Sequence, residues 1–243
     1  MSVIKTSKIA VVTGAAHRLG GHIALALANQ GYAILLHYYS SESQASKMVD
    51  LIKSKGVNAY PFKADLTDGE QIKKLWEFID SLPHRTEILI NSAAVMHHEN
   101  VRTLSISAFD ETIALNLRAP LLCAQEAVKR MSLGGLIINI SDIGADKNWL
   151  GYPAYSISKA ALEVLTRILA KALAPDIRVN AIAPGLIIPP EKGDASNWEN
   201  LVNKIPLKRG GTPDEITSMI EYLISNKYIT GQIVEIDGGY SLI

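Results

Sequence analysis

The feature that most constrains this chain is an alternation that runs its whole length. Short β-branched and aliphatic runs, apolar on both faces, are each followed by segments of helical period. KIAVVTG, YAILLHY, NAYPFKADL, EILINSA, GGLIINIS, IRVNAIAPG and GQIVEIDGG read as strands. RLGGHIALALANQ, SESQASKMVDLIKSKG, DGEQIKKLWEFIDSL, ISAFDETIALNLRA, PLLCAQEAVKRM and AYSISKAALEVLTRILAKALA read as helices. Strands without a polar face belong inside a sheet covered on both sides. The βαβ repetition makes that sheet parallel, with right-handed crossovers. The expected fold is a doubly wound α/β sheet of about seven parallel strands, although Pro61 sits awkwardly inside the third.

The chain of 243 residues shows no linker, repeat or low-complexity stretch, so one domain over residues 1–243 is expected. Lys plus Arg equals Asp plus Glu at 24 each, which leaves no electrostatic footprint for nucleic acid or an acidic membrane. No apolar run is long enough to span a bilayer, and the N-terminal segment carries no signal-peptide pattern. The only cysteine, Cys123, reads as a small hydrophobe in a helix, and a reducing cytoplasm fits it. A small-molecule enzyme or an oligomeric core protein is what these features leave. The stretch PGLIIPPEKGDASNWENLVNK reads either as a mobile substrate flap, spanning 186–206, or as an ordinary surface excursion.

TGAAHRLG follows the first strand and opens the first helix, the setting of a Rossmann-like phosphate loop. Gly14 permits a tight turn, and the helix N-terminus behind it offers free N–H groups and partial positive charge to a pyrophosphate. Arg18 replaces the middle glycine of the usual loop; it contacts either the pyrophosphate or substrate, or is a solvated first-turn residue. The second strand ends LLHYYSSES, with no acid before Glu42 to hold a ribose 2′-OH. His37, Tyr38, Tyr39, Ser40 and Ser41 offer donors there instead, and His17 adds partial positive charge, so NADPH is the expected cofactor. Asp65 and Leu66 end the third strand where an adenine is gripped; Asp65 reads equally as part of the next helix's N-cap.

Tyr155 and Lys159 stand at i and i+4 on one helix face, after a buried strand and a glycine-containing loop. A neighbouring ammonium should lower the phenol's value from about 10 and let it exchange a proton near neutral pH. Lys159 is also placed to hold the nicotinamide ribose. Asn116 either positions a relay water or is a helix-kinking or capping amide. Asp142 stands where a serine is usual, thirteen residues before Tyr155. A carboxylate there suits a nitrogen heterocycle and reduction of a C=N bond; otherwise Ser141 takes the serine role and Asp142 is solvated.

In order along the chain, TGAAHRLG, ADL, NSAA, Asn116, Tyr155 with Lys159, and VNAIAPG resemble the short-chain dehydrogenase/reductase family. Arg18, the HY of the second strand, Asp142, Tyr152 and the tail YITGQIVEIDGGYSLI resemble its pteridine reductase branch. The resemblance implies NADPH-dependent reduction of a dihydropterin or dihydrofolate, with a 3-oxoacyl or other carbonyl reductase as the alternative. A non-catalytic NADP-binding module is the rival from another class. It further implies cofactor contacts at Gly14, His17, Arg18, Leu19, His37, Tyr38, Tyr39, Ser40, Asp65, Leu66, Asn91, Ala93, Tyr155, Lys159, Pro184 and Gly185. Substrate contacts fall on Arg18, Met96, Asp142, Trp149 and Tyr155, and a homotetramer packs through long helices such as 153–174. Met96 replaces the branch's pterin-stacking aromatic, Trp149 is either a ring wall or a loop-packing residue, and Ser40 replaces a phosphate-gripping arginine. His97, His98 and Glu99 lack a third spaced ligand, so no metal site is expected. Trp198 reads as a hinge packing residue, and Lys204, Lys208 and Arg209 as a solvated face.

Overall fold

The computed structural model describes residues 7–189 and 195–243. The first half of the chain runs β1 (Ser7–Val12), α1 (Arg18–Asn29), β2 (Ala33–Tyr38), α2 (Glu42–Lys53), β3 (Ala59–Lys63), α3 (Gly69–Asp80) and β4 (His84–Asn91). Next come α4 (Ile106–Ile113), a π-helical turn (Ala114–Arg118), α5 (Ala119–Val128), β5 (Gly135–Ile140) and the short α6 (Gly144–Lys147). The chain closes with α7 (Pro153–Leu173), β6 (Ile177–Pro184), α8 (Ala195–Lys204), α9 (Pro213–Ser225) and β7 (Ile233–Ile236). The strands form one sheet in the order β3-β2-β1-β4-β5-β6-β7, every pair parallel. This is the Rossmann-like doubly wound sheet that the alternation predicts.

The period-2 alternation of each strand decides which helices it meets. Ala10, Val12, Ile34, Leu36, Ile88, Ile90 and Ile138 pack against α1, α2 and α9 through Ile23, Leu27, Val49, Ile216 and Ile220. Ile9, Val11, Leu35, Leu89, Ile137 and Val179 face the other way, onto Leu75 and Trp76 of α3 and Cys123 and Ala127 of α5. Each fully buried Ile, Leu or Val contributes about 1.5–3 kcal/mol, so both faces are strongly specified. Cys123 is buried there, and burial pushes its thiol up to about 12.

Pro61 falls on β3, the edge strand, where the missing N–H breaks no interior ladder. In the stretch expected as a flap, residues 190–194 lie outside the described residues, and α8 occupies much of the rest. The sequence reading assigns no element to 213–225, yet α9 forms there. Its start is Thr212-Pro213-Asp214-Glu215, and Glu215 Oε2 accepts from the Thr212 N–H at 2.8 Å. The apolar positions 216, 220 and 223 give the helical period.

Candidate active site

A cleft of about 960 Å³ opens across the carboxyl ends of β1, β2, β4, β5 and β6, where strand order reverses between β1 and β4. Gly14, His17, Arg18, Leu19, Tyr38, Tyr39, Ser40, Asp65, Leu66, Ala93, Pro184 and Gly185 line one part. Met96, Asp142, Trp149, Tyr155 and Lys159 line the other.

The glycine loop is built by close approach. Gly14 has φ +65°, and a Cβ on it would lie 2.9 Å from the Ala93 Cα. A Cβ on Gly20 would come within 2.2 Å of the Gly14 carbonyl oxygen, so no side chain fits. Thr13 Oγ1 accepts from the N–H groups of Ser92 and Ala93 at 2.9 and 3.1 Å, tying the loop to the end of β4. Arg18 adopts φ +50°, and its guanidinium donates to the carbonyls of Ile188 and Pro189 at 3.3 Å. It thus links the first helix turn to the segment after β6.

Two expected cofactor residues take other roles. His37 is buried, its Nδ1 accepts from the Gly14 N–H at 3.1 Å, and its Nε2 donates to the Ala64 carbonyl at 3.0 Å. Burial lowers its value to about 4, so the ring is neutral and both nitrogens are engaged. His37 borders the cleft but braces the glycine loop rather than offering a donor. Asn91 is absent from the cleft wall: its Nδ2 donates to Asn139 Oδ1 at 2.9 Å inside the sheet, and Ser92 takes the wall position. The remaining donors at the end of β2 are Tyr38, Tyr39, Ser40 and Ser41. Asp65 Oδ1 accepts from the N–H and hydroxyl of Thr67 at 2.8 and 2.7 Å, while Asp68 is the actual N-cap of α3.

At the other end, Tyr155 donates to Asp142 Oδ2 at 2.9 Å, and Asp142 Oδ1 accepts from the Gly144 N–H at 2.7 Å. Lys159 is buried, donates to the Ile140 carbonyl at 2.7 Å and stands 5.5 Å from the centre of the Tyr155 ring. The alternative in which Ser141 takes the serine role fails, because its hydroxyl donates to Glu163 Oε1 at 2.8 Å. The expected lowering of the tyrosine also fails. Burial and the adjacent Asp142 carboxylate hold Tyr155 well above its ordinary value. Burial likewise raises Asp142 and lowers Lys159 to about 8.

Asn116 sits in the π-helical turn, a bulge type frequent at functional sites. Its Oδ1 accepts from the Val95 N–H and its Nδ2 donates to the Val95 carbonyl, both at 2.9 Å. It therefore clamps the chain after β4, the segment that carries Met96. The Trp149 ring lies parallel to Tyr155, with centroids 6.5 Å apart and planes 5° apart. Tyr152 meets Trp149 and His98 edge-on. His97 Nε2 lies 3.3 Å from Glu111 Oε2, and no cluster of three or more His, Cys, Asp or Glu able to hold a metal occurs among the described residues. Trp198 also lines the cleft. Arg209 pairs with Glu215, and Lys208 donates to the Asn203 carbonyl. The sequence reading misses Thr13 and Glu163. The TG beginning the loop is a signal for the first; Glu163 lies one turn beyond Lys159.

The protein family described as enoyl-(acyl carrier protein) reductase matches residues 14–241. FolM alternative dihydrofolate reductase 1 from Brucella canis, solved with NADP, superposes with a TM-score of 0.92 at 32% identity, covering 99% of this chain and 96% of that one. A Serratia marcescens short-chain dehydrogenase/reductase superposes with a TM-score of 0.91 at 30% identity, covering 96% and 98%. By sequence, the 3-oxoacyl-[acyl-carrier-protein] reductase FabG of Staphylococcus aureus is 32% identical, covering 97% of this chain and 99% of its own. The match spans the glycine loop, the Tyr155–Lys159 helix and the seven-stranded sheet alike, and the chain belongs to the short-chain dehydrogenase/reductase family.

Proposed function

We propose that this protein is an NADPH-dependent oxidoreductase that reduces a ring C=N bond of a dihydropterin or dihydrofolate. The observation that carries the reading is the 2.9 Å hydrogen bond from Tyr155 to a half-buried Asp142. The cleft suits a dinucleotide: its volume of about 960 Å³ lies at the upper end of ligand sites, and its glycine loop admits close approach. Gly14 with the first turn of α1 holds the pyrophosphate, Tyr38, Tyr39, Ser40 and Ser41 meet the ribose phosphate, and Asp65 and Leu66 flank the adenine. The absence of an acid before Glu42 favours NADPH over NADH. NADP in the Brucella relative supports the same assignment.

Bound NADPH supplies the hydride that reaches the ring carbon. Tyr155, kept protonated by its raised value, is an acid for the ring nitrogen. Asp142 accepts from Tyr155 in the free site; once the phenol has given up its proton, the carboxylate takes one from water and passes it back to the phenolate, or Asp142 meets an N–H of the heterocycle directly. Lys159 places positive charge beside the phenol as the proton leaves, and Asn116 keeps the Val95–Met96 segment in place. Trp149 stacks beside Tyr155 and forms an aromatic wall; Arg18 and Met96 line the approach. In this reading the described residues 186–189 and 195–206 serve as a flap beside the cleft, which Leu186, Ile187, Ile188 and Trp198 line, within a single domain. A homotetramer fits the exposed Ile157, Val164 and Ile168 of α7, and a reducing cytoplasm fits the free Cys123.

The FabG relative supports the second reading, reduction of a 3-oxoacyl thioester. NADPH oxidation with dihydrobiopterin, dihydromonapterin, dihydrofolate and an acetoacetyl thioester, side by side, separates the two. The pterin reading expects turnover of at least one of the first three, lost in Asp142→Ser. Turnover of the thioester alone sinks it.

A further inference from the structure

Polar rungs join the end of β5 to one face of α7. Tyr155 donates to Asp142, Lys159 to the Ile140 carbonyl, Ser141 to Glu163 at 2.8 Å, and Asn139 to Thr166 at 2.8 Å. Positions 155, 159, 163 and 166 follow the three- and four-residue spacing of a single helix face. All four of these helix residues are buried. Apolar residues would seal helix to strand at a lower desolvation cost, so these rungs specify the register instead of maximising stability. Tyr155 and Lys159 take part in the proposed reaction. Glu163, 6% exposed, takes no part in the steps above.

We propose that Glu163 is a positioning residue for the reduction: it fixes Ser141, the residue that leads the chain into Asp142, and its carboxylate balances the buried Lys159 ammonium. The inference rests on the reductase reading only for its activity measurement. Lys159 precedes Glu163 by one turn, and the charges of Asp142 and, after it, Glu163 act to raise the lysine, against the burial that lowers it to about 8. Ser141 and Glu235 face Glu163 from the sheet, Asp146 from α6, and Arg167 from its own helix. Burial, Asp146 and Glu235 push Glu163 up, while the Ser141 hydroxyl and Arg167 hold it down. Without the Glu163 charge, Lys159 would lose its ammonium at a lower pH, when its cation is needed beside Tyr155.

Glu163→Gln keeps an acceptor for Ser141 and removes the charge; Glu163→Ala removes both and favours helix. Carbon-13 NMR of the lysine ε-carbons, in protein without cofactor, follows the Lys159 titration directly. Both variants should titrate Lys159 at least about 0.5 lower in pH than wild type. The alkaline limb of kcat/KM for dihydropterin reduction should move the same way. Ser141→Ala keeps the carboxylate and should move the Lys159 midpoint less than either Glu163 variant does. An unmoved midpoint in both Glu163 variants, or an equal fall in Ser141→Ala, overturns the proposal. A lowered midpoint in an enzyme that reduces no pterin refutes the substrate reading and leaves the Glu163–Lys159 coupling standing.

Discussion

Lys159→Met should make the cofactor-free protein more stable while abolishing its activity. The Lys159 ammonium is buried, and among the described residues it reaches only the Ile140 carbonyl as a hydrogen-bond acceptor. Burial lowers it from 10.5 to about 8 despite the nearby Asp142 and Glu163 carboxylates. At about 1.4 kcal/mol for each tenfold change in proton affinity, that fall corresponds to a folding penalty of about 3 kcal/mol at neutral pH. A lysine whose folded value is depressed is charged in both states below pH 8, where the penalty is complete. Above 10.5 it is neutral in both, and the penalty is gone. Methionine fills a similar volume without the charge, but strands the Ile140 carbonyl at a cost of about 1–2 kcal/mol. The net gain at pH 7 is about 1–2 kcal/mol, or a Tm higher by about 3–6 °C for a chain of this length. Urea unfolding of both proteins from pH 7 to 10.5 measures it. Wild type should gain about 3 kcal/mol on the variant across that range. Parallel curves, or a variant less stable at pH 7 by more than the stranded carbonyl accounts for, refute the reasoning.

Tyr155→Phe removes the proposed proton donor, and kcat should fall about 10²–10⁴-fold with NADPH affinity retained, as read by stopped-flow and fluorescence titration. A fully active phenylalanine variant would move the proton to Asp142. Trp149→Ala removes the ring stacked on Tyr155; KM for a dihydropterin should rise about 3–10-fold with little change in kcat, and an unchanged KM would make Trp149 a loop-packing residue. His37→Phe leaves the Gly14 N–H and the Ala64 carbonyl without their partner. It should cost about 2 kcal/mol in urea unfolding and weaken NADPH binding about tenfold; unchanged NADPH binding would show that the glycine loop holds its shape unaided.

Much of this architecture is legible because it follows from patterns within single segments. The two-sided apolar strands, the glycine loop and the Tyr155–Lys159 spacing each carry their meaning locally. Pro61 is awkward in sequence but ordinary on an edge strand, since strand order is a property of the whole sheet. His37 reads as a cofactor donor because it ends β2, yet only the fold shows Gly14 within 3.1 Å of its ring. Asn91 likewise turns inward onto Asn139, a residue 48 positions away. The sign of the Tyr155 perturbation is legible only from the fold as well. Sequence spacing puts an ammonium near the phenol, but burial and the facing carboxylate outweigh it. Glu163 is recognisable only when the Ser141 hydroxyl is seen to face it.

Asp142 explains why the site holds polar groups that the fold alone does not require. A serine at that position would hydrogen-bond Tyr155 without adding charge. The half-buried carboxylate raises the phenol and is itself raised by desolvation, so both groups hold their protons more tightly than they would in water. The phenol of such a pair stays protonated at neutral pH, and under the proposed function a proton donor is what a ring nitrogen would need. The same arrangement depends on a cation that survives burial, because a neutral Lys159 would leave the Asp142 carboxylate opposed only by the Gly144 N–H and the phenol itself. In the proposed reaction the identity of residue 142 therefore bears on the protonation of Tyr155, on the need for a charged Lys159 and, through Lys159, on the use the site would make of Glu163.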